Sequence, residues 1–388
     1  MSFTLLVVFA VVAAIFVGIN IGGSSTGVAF GPSVGSKLVS KTGAAGLMTV
    51  FALLGGWTLG RNVIATMGGK IVPSSEFTMM ASVIILFFIG LSLLISNLSG
   101  VPASTSMTAV GAIAGLGVAT ETIRWSVMGK IMSWWLVAPA VAFLAGGLIG
   151  RYLYTHLDEK FKIDKSDGKM FEFRFSPVPI KLVDGTSRGE FVSSVLVIVI
   201  ACYMAFSAGA SNVANAVAPL VSSPTTPVTM NMGILLAVGA MSIGGFTIAR
   251  KTLDTVGEGI TDMPLLAALI VSTVSASIIT ILSKMGIPAS LAISATMCIT
   301  GLGWGRASRT VKVKDAIQGE APPMKTAALK SDENSKKIGE ESEDDIPDKQ
   351  LFDPDIIHHV VTFWILTPVI SAVCSYSVFQ GLQYVGVM

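Results

Sequence analysis

The stretch Gly209-Ala-Ser-Asn-Val-Ala-Asn-Ala-Val-Ala-Pro219 decides how this chain is read, because a second version stands earlier as Gly22-Gly-Ser-Ser-Thr-Gly-Val-Ala-Phe-Gly-Pro32. Two further motifs repeat in the same order. Gly55-Gly-Trp-Thr-Leu-Gly-Arg61 returns as Gly244-Gly-Phe-Thr-Ile-Ala-Arg250. Gly100-Val-Pro-Ala-Ser104 with Gly115-Leu-Gly117 returns as Gly286-Ile-Pro-Ala-Ser290 with Gly301-Leu-Gly303. The offsets are 187, 189 and 186 residues. Three collinear matches at a nearly constant offset identify a duplicated unit. Both copies are apolar except for breaks rich in glycine, serine and proline. That is the pattern of a secondary transporter, whose interrupted helices meet at a substrate site.

Hydrophobic residues make up 52% of the chain and charged residues only 13%, against about a quarter charged in a soluble domain. No Asp, Glu, Lys, Arg or His occurs in 1–36, 77–120, 131–150, 191–249, 263–283, 285–305 or 360–388. Several of these runs reach the ~20 apolar residues that span a bilayer as a helix. The chain is therefore a polytopic membrane protein. Residues 3–16 lack the basic start of a signal peptide and align with 192–205 of the second copy, so they read as a retained first helix. Cys202, Cys298 and Cys374 are isolated in apolar runs. They lack metal-ligand spacing and read as small packing residues. The formal net charge of +2 says little about partners.

Hydropathy places spans near 3–21, 24–40, 43–61, 77–98 and 127–150, with a short broken segment at 101–119. The second copy gives 191–208, 212–225, 230–249, 263–283 and 357–386, with its broken segment at 288–305. The two broken segments are too short to cross comfortably and read as re-entrant hairpins, tolerated only inside protein or lining a cavity. The expected fold is all-α and polytopic: two inverted-topology repeats, each of about five transmembrane helices plus a re-entrant helical hairpin. An odd span count per copy makes the second copy enter from the opposite side. The units are a first repeat at 1–150, a polar loop at 151–190, the main part of the second repeat at 191–306, a second loop at 307–356 and a last helix at 357–388. Both loops carry Lys and Arg beside the span ends (Arg151, Lys160, Lys162, Lys165; Arg306, Arg309, Lys312, Lys314). The positive-inside bias puts them in the cytoplasm and both termini outside a cell (inner) membrane. Residues 321–348 are too polar to offset their ordering entropy and read as a flexible linker. The alternation of Phe171, Phe173 and Phe175 with polar residues reads as a strand or hairpin.

Asn212 and Asn215 lie three apart on one helix face, with Ser211 beside them. Amides in hydrocarbon are costly, so they should face protein or a polar cavity. A hydrogen-bonded clamp between helices would also account for them. The run Ser24-Ser25-Thr26 in the matching place of the first copy favours a ligand site. Pro102-Ala-Ser104-Thr105-Ser106 and Pro288-Ala-Ser290 each open an apolar helix. Pro presets a first turn, Ser caps it, and the helix start then cradles an anion. Ordinary capping explains one such start, but not two within the membrane. The spans offer neither a proton-relay carboxylate nor a nucleophile–base pair. His156, His358 and His359 sit at loop edges. Sodium needs only oxygen ligands, and those are present: Ser25, Asn212 and Asn215, with Thr66 and Thr255 at related repeat positions. Asp254 and Glu258 are the nearest acids. Polar helix ends explain Thr66, Thr255, Asp254 and Glu258 equally well.

The motif Gly209-Ala-Ser-Asn-Val-Ala-Asn-Ala resembles the duplicated Gly-Ala-Asn-Asp-Val-Ala-Asn-Ala signature of the inorganic phosphate transporter (PiT) family. Phe30-Gly-Pro-Ser-Val-Gly-Ser36 is similar to that family too, and Val101-Pro-Ala-Ser-Thr-Ser-Met107 resembles its Pro-Val-Ser-Thr-Thr-His hairpin. The resemblance covers both apolar halves and implies a cation-coupled phosphate importer built from inverted repeats. It implies a substrate and cation site at Ser24, Ser25, Ser211, Asn212 and Asn215, with Ser104, Thr105, Ser106 and Ser290. The signature aspartate is Ser25 in one copy and Asn212 in the other, the hairpin histidine is Met107, and a glutamate often found before the second glycine motif is Ala52.

The expected function is sodium-coupled uptake of inorganic phosphate by alternating access. Sulfate transport, proton-coupled phosphate transport and an anion channel are the alternatives. The partners are phosphate, sodium and the lipid bilayer, with a homodimer admitted and no nucleic acid. No cofactor is expected beyond sodium as a co-transported ion.

Overall fold

The computed structural model describes residues 3–98, 104–161, 171–173, 180–182, 188–249, 253, 264–310 and 354–386. In the first copy these form α1 (Phe3–Gly35), α2 (Lys41–Gly55), α3 (Arg61–Met67), α4 (Met79–Leu98), α5 (Thr105–Ala119), α6 (Trp125–Leu148) and α7 (Tyr154–Phe161). A π-turn at Gly56–Gly60 joins α2 to α3, and another at Ile149–Leu153 joins α6 to α7. The second copy supplies α8 (Arg188–Ser222), α9 (Met230–Phe246), α10 (Leu265–Lys284), α11 (Leu291–Ala307) and α12 (Pro354–Tyr384). Between the copies, β1 (Phe171–Phe173) pairs antiparallel with β2 (Ile180–Leu182), as the aromatic alternation suggests. Seven helices among the described residues are long and apolar enough to cross a membrane. The expected linker at 321–348, Pro102, Asp254, Thr255 and Glu258 lie outside the described residues.

Two expectations change. Residues 24–40 and 212–225 are not spans of their own; most of each, to Gly35 and to Ser222, continues the first helix of its copy. α1 runs unbroken for 33 residues and α8 for 35, about 50 Å each at 1.5 Å per residue. The serines and glycines that read as breaks are absorbed. Ser24 donates to the carbonyls of Asn20 and Ile21, and Thr26 to that of Gly22 at 2.7 Å, so the hydroxyls fold back on the helix.

The second change concerns the re-entrant element. α5 is one arm of a hairpin, with α4 as the other arm. Arg124 donates its backbone N–H to the Ile71 carbonyl at 2.9 Å and its guanidinium to the Gly69 carbonyl at 2.9 Å. The residues before α4 and after α5 therefore lie at one end of the protein. α10 and α11 pair in the same way. The turn between them is a Schellman close: Gly286 N–H bonds to Ser283 O and Ile287 N–H to Leu282 O, both at 2.9 Å. It needs a left-handed residue, which Gly286 supplies at φ +72°.

The copies interlock by equivalent contacts. α1 packs on α9 of the other copy and α8 packs on α2, while α5 packs on α12 and α11 packs on α6. Gly22 and Gly209 show how close the approach is. A Cβ on Gly22 would sit 1.9 Å from the Met241 carbonyl oxygen, and one on Gly209 would sit 2.2 Å from that of Ala52. Met241 and Ala52 are themselves 189 residues apart, the offset of the second motif. The repeat seen in sequence is thus also a repeat of backbone-to-backbone contacts. Glycine is there because helices approaching this closely leave no room for a side chain.

Candidate functional site

α5, α8, α1 and the start of α11 bring their polar residues to one place. Asn212 on α8 donates its amide N–H to Ser25 Oγ on α1 at 3.2 Å. These two residues occupy the same place in the two copies, so equivalent positions of the repeat touch each other. Thr105 Oγ1, on the first turn of α5, donates to Asn212 Oδ1 at 2.9 Å. Asn215 Nδ2 lies 3.2 Å from each of Thr105 Oγ1, Ser106 Oγ and Asn212 Oδ1. Ser106 and Ser211 both donate to the Ala289 carbonyl, at 3.1 and 2.8 Å, and their hydroxyls lie 3.3 Å apart. That carbonyl belongs to the turn just before α11. One oxygen therefore ties hairpin to hairpin and both to α8. Trp135 of α6 holds the neighbouring Pro288 carbonyl at 2.9 Å.

A cavity of about 30 Å³ sits beside this network, lined by Ser24, Ser25, Val28, Thr105, Asn212, Ser290, Leu291 and Ala292. It exceeds the ~10–15 Å³ that admits one water. Among the described residues, no lining side chain is ionisable. The charge comes from backbone. Ser104 caps α5 by accepting from Met107 N–H, and Ser290 caps α11 by accepting from Ile293 N–H, each at 3.4 Å. Capping satisfies one donor per helix. Helix geometry leaves the other first-turn N–H groups without intrahelical partners, and each helix start carries about half a positive charge. Thr105 from α5 and Ser290, Leu291 and Ala292 from α11 line the same cavity, so two such starts face one space. An anion is the natural occupant. The neighbouring Asn215 Oδ1 is buried with no hydrogen-bond partner, an acceptor left waiting for a donor or cation.

Of the residues expected from sequence, Ser25, Thr105, Asn212 and Ser290 line the cavity directly. Ser106, Ser211 and Asn215 form the layer behind them, and Ser104 caps α5. Ser24 lines the cavity with its hydroxyl turned back to its own helix. Thr66 stands apart: its hydroxyl donates to the Asn62 carbonyl at 3.1 Å and would meet a Cβ on Gly286 at 2.8 Å, at the tip of the second hairpin. The sequence reading missed Ala289, whose carbonyl joins the two hairpins, because a backbone acceptor leaves no trace in residue type. It also missed Val28, Leu291 and Ala292, whose side chains signal only packing.

A family model described as the phosphate transporter family matches residues 21–375. Sulfate permease CysP of Bacillus subtilis is 29% identical over 313 residues, covering 80% of each chain. A provisionally named phosphate permease of Helicobacter pylori is 23% identical, covering 98% of this chain and 90% of its own. A solved structure titled the sodium-dependent phosphate transporter superposes with a TM-score of 0.66 at 21% identity, covering 98% of this chain and 99% of that one.

Proposed function

Because the chain belongs to the phosphate transporter family, a family of membrane carriers rather than enzymes, we propose that it imports a tetrahedral oxyanion of the phosphate and sulfate kind, coupled to sodium, by alternating access. The observation that carries this reading is the meeting of two helix starts, one from each copy, at a cavity whose described lining residues include no ionisable side chain. The hydroxyls of Ser25 and Ser290, the second Asn212 amide N–H and the first N–H groups of α5 and α11 hold the oxyanion, while Thr105, whose O–H is given to Asn212 Oδ1, lines the site and orients that amide. Ser104 and Ser106 fix the start of α5, and Ser211 fixes the tip of the second hairpin through Ala289.

A dianion held by neutral dipoles alone is costly to move through a membrane, and a companion cation offsets that cost. Asn215 Oδ1, buried and unpartnered, supports a sodium position there with Ser25 Oγ as a second ligand; Asn212 Oδ1, which already accepts from Thr105 and Asn215, joins only by giving up one of those bonds. Thr66 and Thr255 are proposed as cation ligands from their repeat positions alone, and Thr66 stands apart from this cavity. With sodium and anion side by side, each tightens the other by the same factor.

Each copy passes the membrane an odd number of times, whether its hairpin counts as two passes or none, so the copies are inserted in opposite senses. Arg151 donates to the Ser308 carbonyl and Arg309 donates to the Arg151 carbonyl at 2.8 Å, so the ends of α6 and α11 lie together. Both polar loops therefore leave from one side, which the positive-inside bias makes cytoplasmic. Gln380, near the end of α12, lies 3.3 Å from the Ala119 carbonyl beside the exit of the first hairpin. This supports a C-terminus on the opposite face. The test is labelled sulfate and phosphate uptake into proteoliposomes at fixed pH with sodium replaced by choline. Accumulation is expected to collapse; uptake indifferent to the replacement would overturn sodium coupling.

A further inference from the structure

We infer that the cavity selects its anion by proton content, and that Asn212 sets the rule: the site takes tetrahedral dianions bearing no proton, with sulfate the common example, over oxyanions that carry one. This rests on the oxyanion reading above and deepens it. Both ends of the Asn212 side chain are already committed. Its Oδ1 accepts from Thr105 at 2.9 Å and from Asn215 at 3.2 Å, which fills both lone pairs of an amide oxygen. Its Nδ2 donates to Ser25 at 3.2 Å. Ser25, having accepted that bond, keeps its own O–H for a ligand. Ser290, having accepted from Ile293 N–H, does the same. The first N–H groups of α11 add only donors. The cavity thus presents hydrogens, and its one amide acceptor is spent.

No described residue lining it is a carboxylate or imidazole, and residues 99–103, which precede Ser104 in sequence, contain none. The remaining strong acceptor, Asn215 Oδ1, is not among the lining residues. Sulfate offers acceptor oxygens alone and matches a ring of donors. Phosphate at neutral pH always carries a proton. Held here, that O–H finds among the described lining side chains only hydroxyl oxygens free to accept, each of which must turn its own hydrogen away from the anion to accept it. A desolvated donor without a proper acceptor is costly, and mismatches of this kind are what give polar sites their selectivity.

The test uses the purified full chain in proteoliposomes, labelled sulfate, and unlabelled competitors chosen as pairs of equal size but different proton content. Selenate is set against arsenate, and monofluorophosphate against phosphate. At neutral pH, selenate and monofluorophosphate should compete about as well as sulfate, with arsenate and phosphate at least about tenfold weaker. Asn212→Asp supplies a carboxylate that accepts a P–O–H proton and repels an aprotic dianion, so it should narrow or reverse the ranking. Ser25→Asp, the equivalent position of the other copy, should do the same and stands in if the first variant does not assemble. Arsenate and phosphate competing as well as selenate and sulfate would overturn the inference, as would aspartate variants that keep the wild-type ranking. Phosphate carried with sulfate refused would overturn it while leaving oxyanion transport intact. Accumulation of no oxyanion at all would remove both.

Discussion

Replacing Asn212 with alanine is the sharpest perturbation of the site, because three polar contacts end on that one side chain. They are the donation to Ser25 at 3.2 Å and the two donations received from Thr105 at 2.9 Å and Asn215 at 3.2 Å. A net hydrogen bond contributes about 0.5–1.5 kcal/mol, so complete loss costs roughly 1.5–4.5 kcal/mol. Part of this is recovered. Asn215 already reaches Thr105 and Ser106 at 3.2 Å, so its N–H groups stay occupied. The groups left loose are the Thr105 hydroxyl and Ser25, both of which face the anion. A loss of about 2 kcal/mol in ordering the ligand shell corresponds to roughly a thirtyfold weaker apparent affinity, at about 1.4 kcal/mol per tenfold. The assay is initial uptake rate against anion concentration in proteoliposomes, with gel-filtration profile and thermal midpoint as assembly controls. A well-assembled variant with wild-type apparent affinity would refute the reasoning.

Further outcomes follow from the same geometry. Ser106→Ala and Ser211→Ala should each be mild, since either hydroxyl alone still satisfies the Ala289 carbonyl; the double variant should lose more than the sum of the singles, as read in a double-mutant cycle of uptake affinity. Gly209→Ala puts a Cβ 2.2 Å from the Ala52 carbonyl oxygen, so α8 and α2 must part; a thermal midpoint several degrees lower is expected, with a cost of about 1–3 kcal/mol for overpacking. With no ionisable side chain among the described residues that line the cavity, sulfate uptake under a fixed sodium gradient should change less than about twofold between pH 6 and pH 8, where a titrating site would give a much steeper slope. Sodium titrated at two anion concentrations, and anion at two sodium concentrations, should show equal shifts in binding affinity.

How much of this was legible in sequence depended on the kind of signal. The repeat was, because glycines packed against a facing backbone cannot drift: Gly22 and Gly209 mark the same contact twice. The polar residues were legible too, since Ser25, Asn212 and Asn215 stand out in long uncharged runs. Helix ends were harder. The Gly-Ser-Ser-Thr run reads as a break by aqueous turn chemistry, yet in an apolar setting Ser24 and Thr26 find their best acceptors on their own helix, and α1 continues. The pairing of α4 with α5 was not legible because α4, at 20 residues, is by length and composition a span in its own right. Only the bonds from Arg124 to Ile71 and Gly69 show that its start lies level with the exit of α5. Thr66 illustrates the converse: its repeat position suggested the site, but packing sets it against Gly286 instead.

The central claim is that one anion sits between the starts of α5 and α11, touched by both copies of the repeat. Selenate makes this visible, since selenium scatters anomalously. A crystal structure of the full chain with selenate should place one anomalous peak within hydrogen-bond reach of Ser25, Thr105, Asn212 and Ser290. A peak bound by residues of one copy only, or one at the arginines near Ser308 with the cavity empty, would contradict the account.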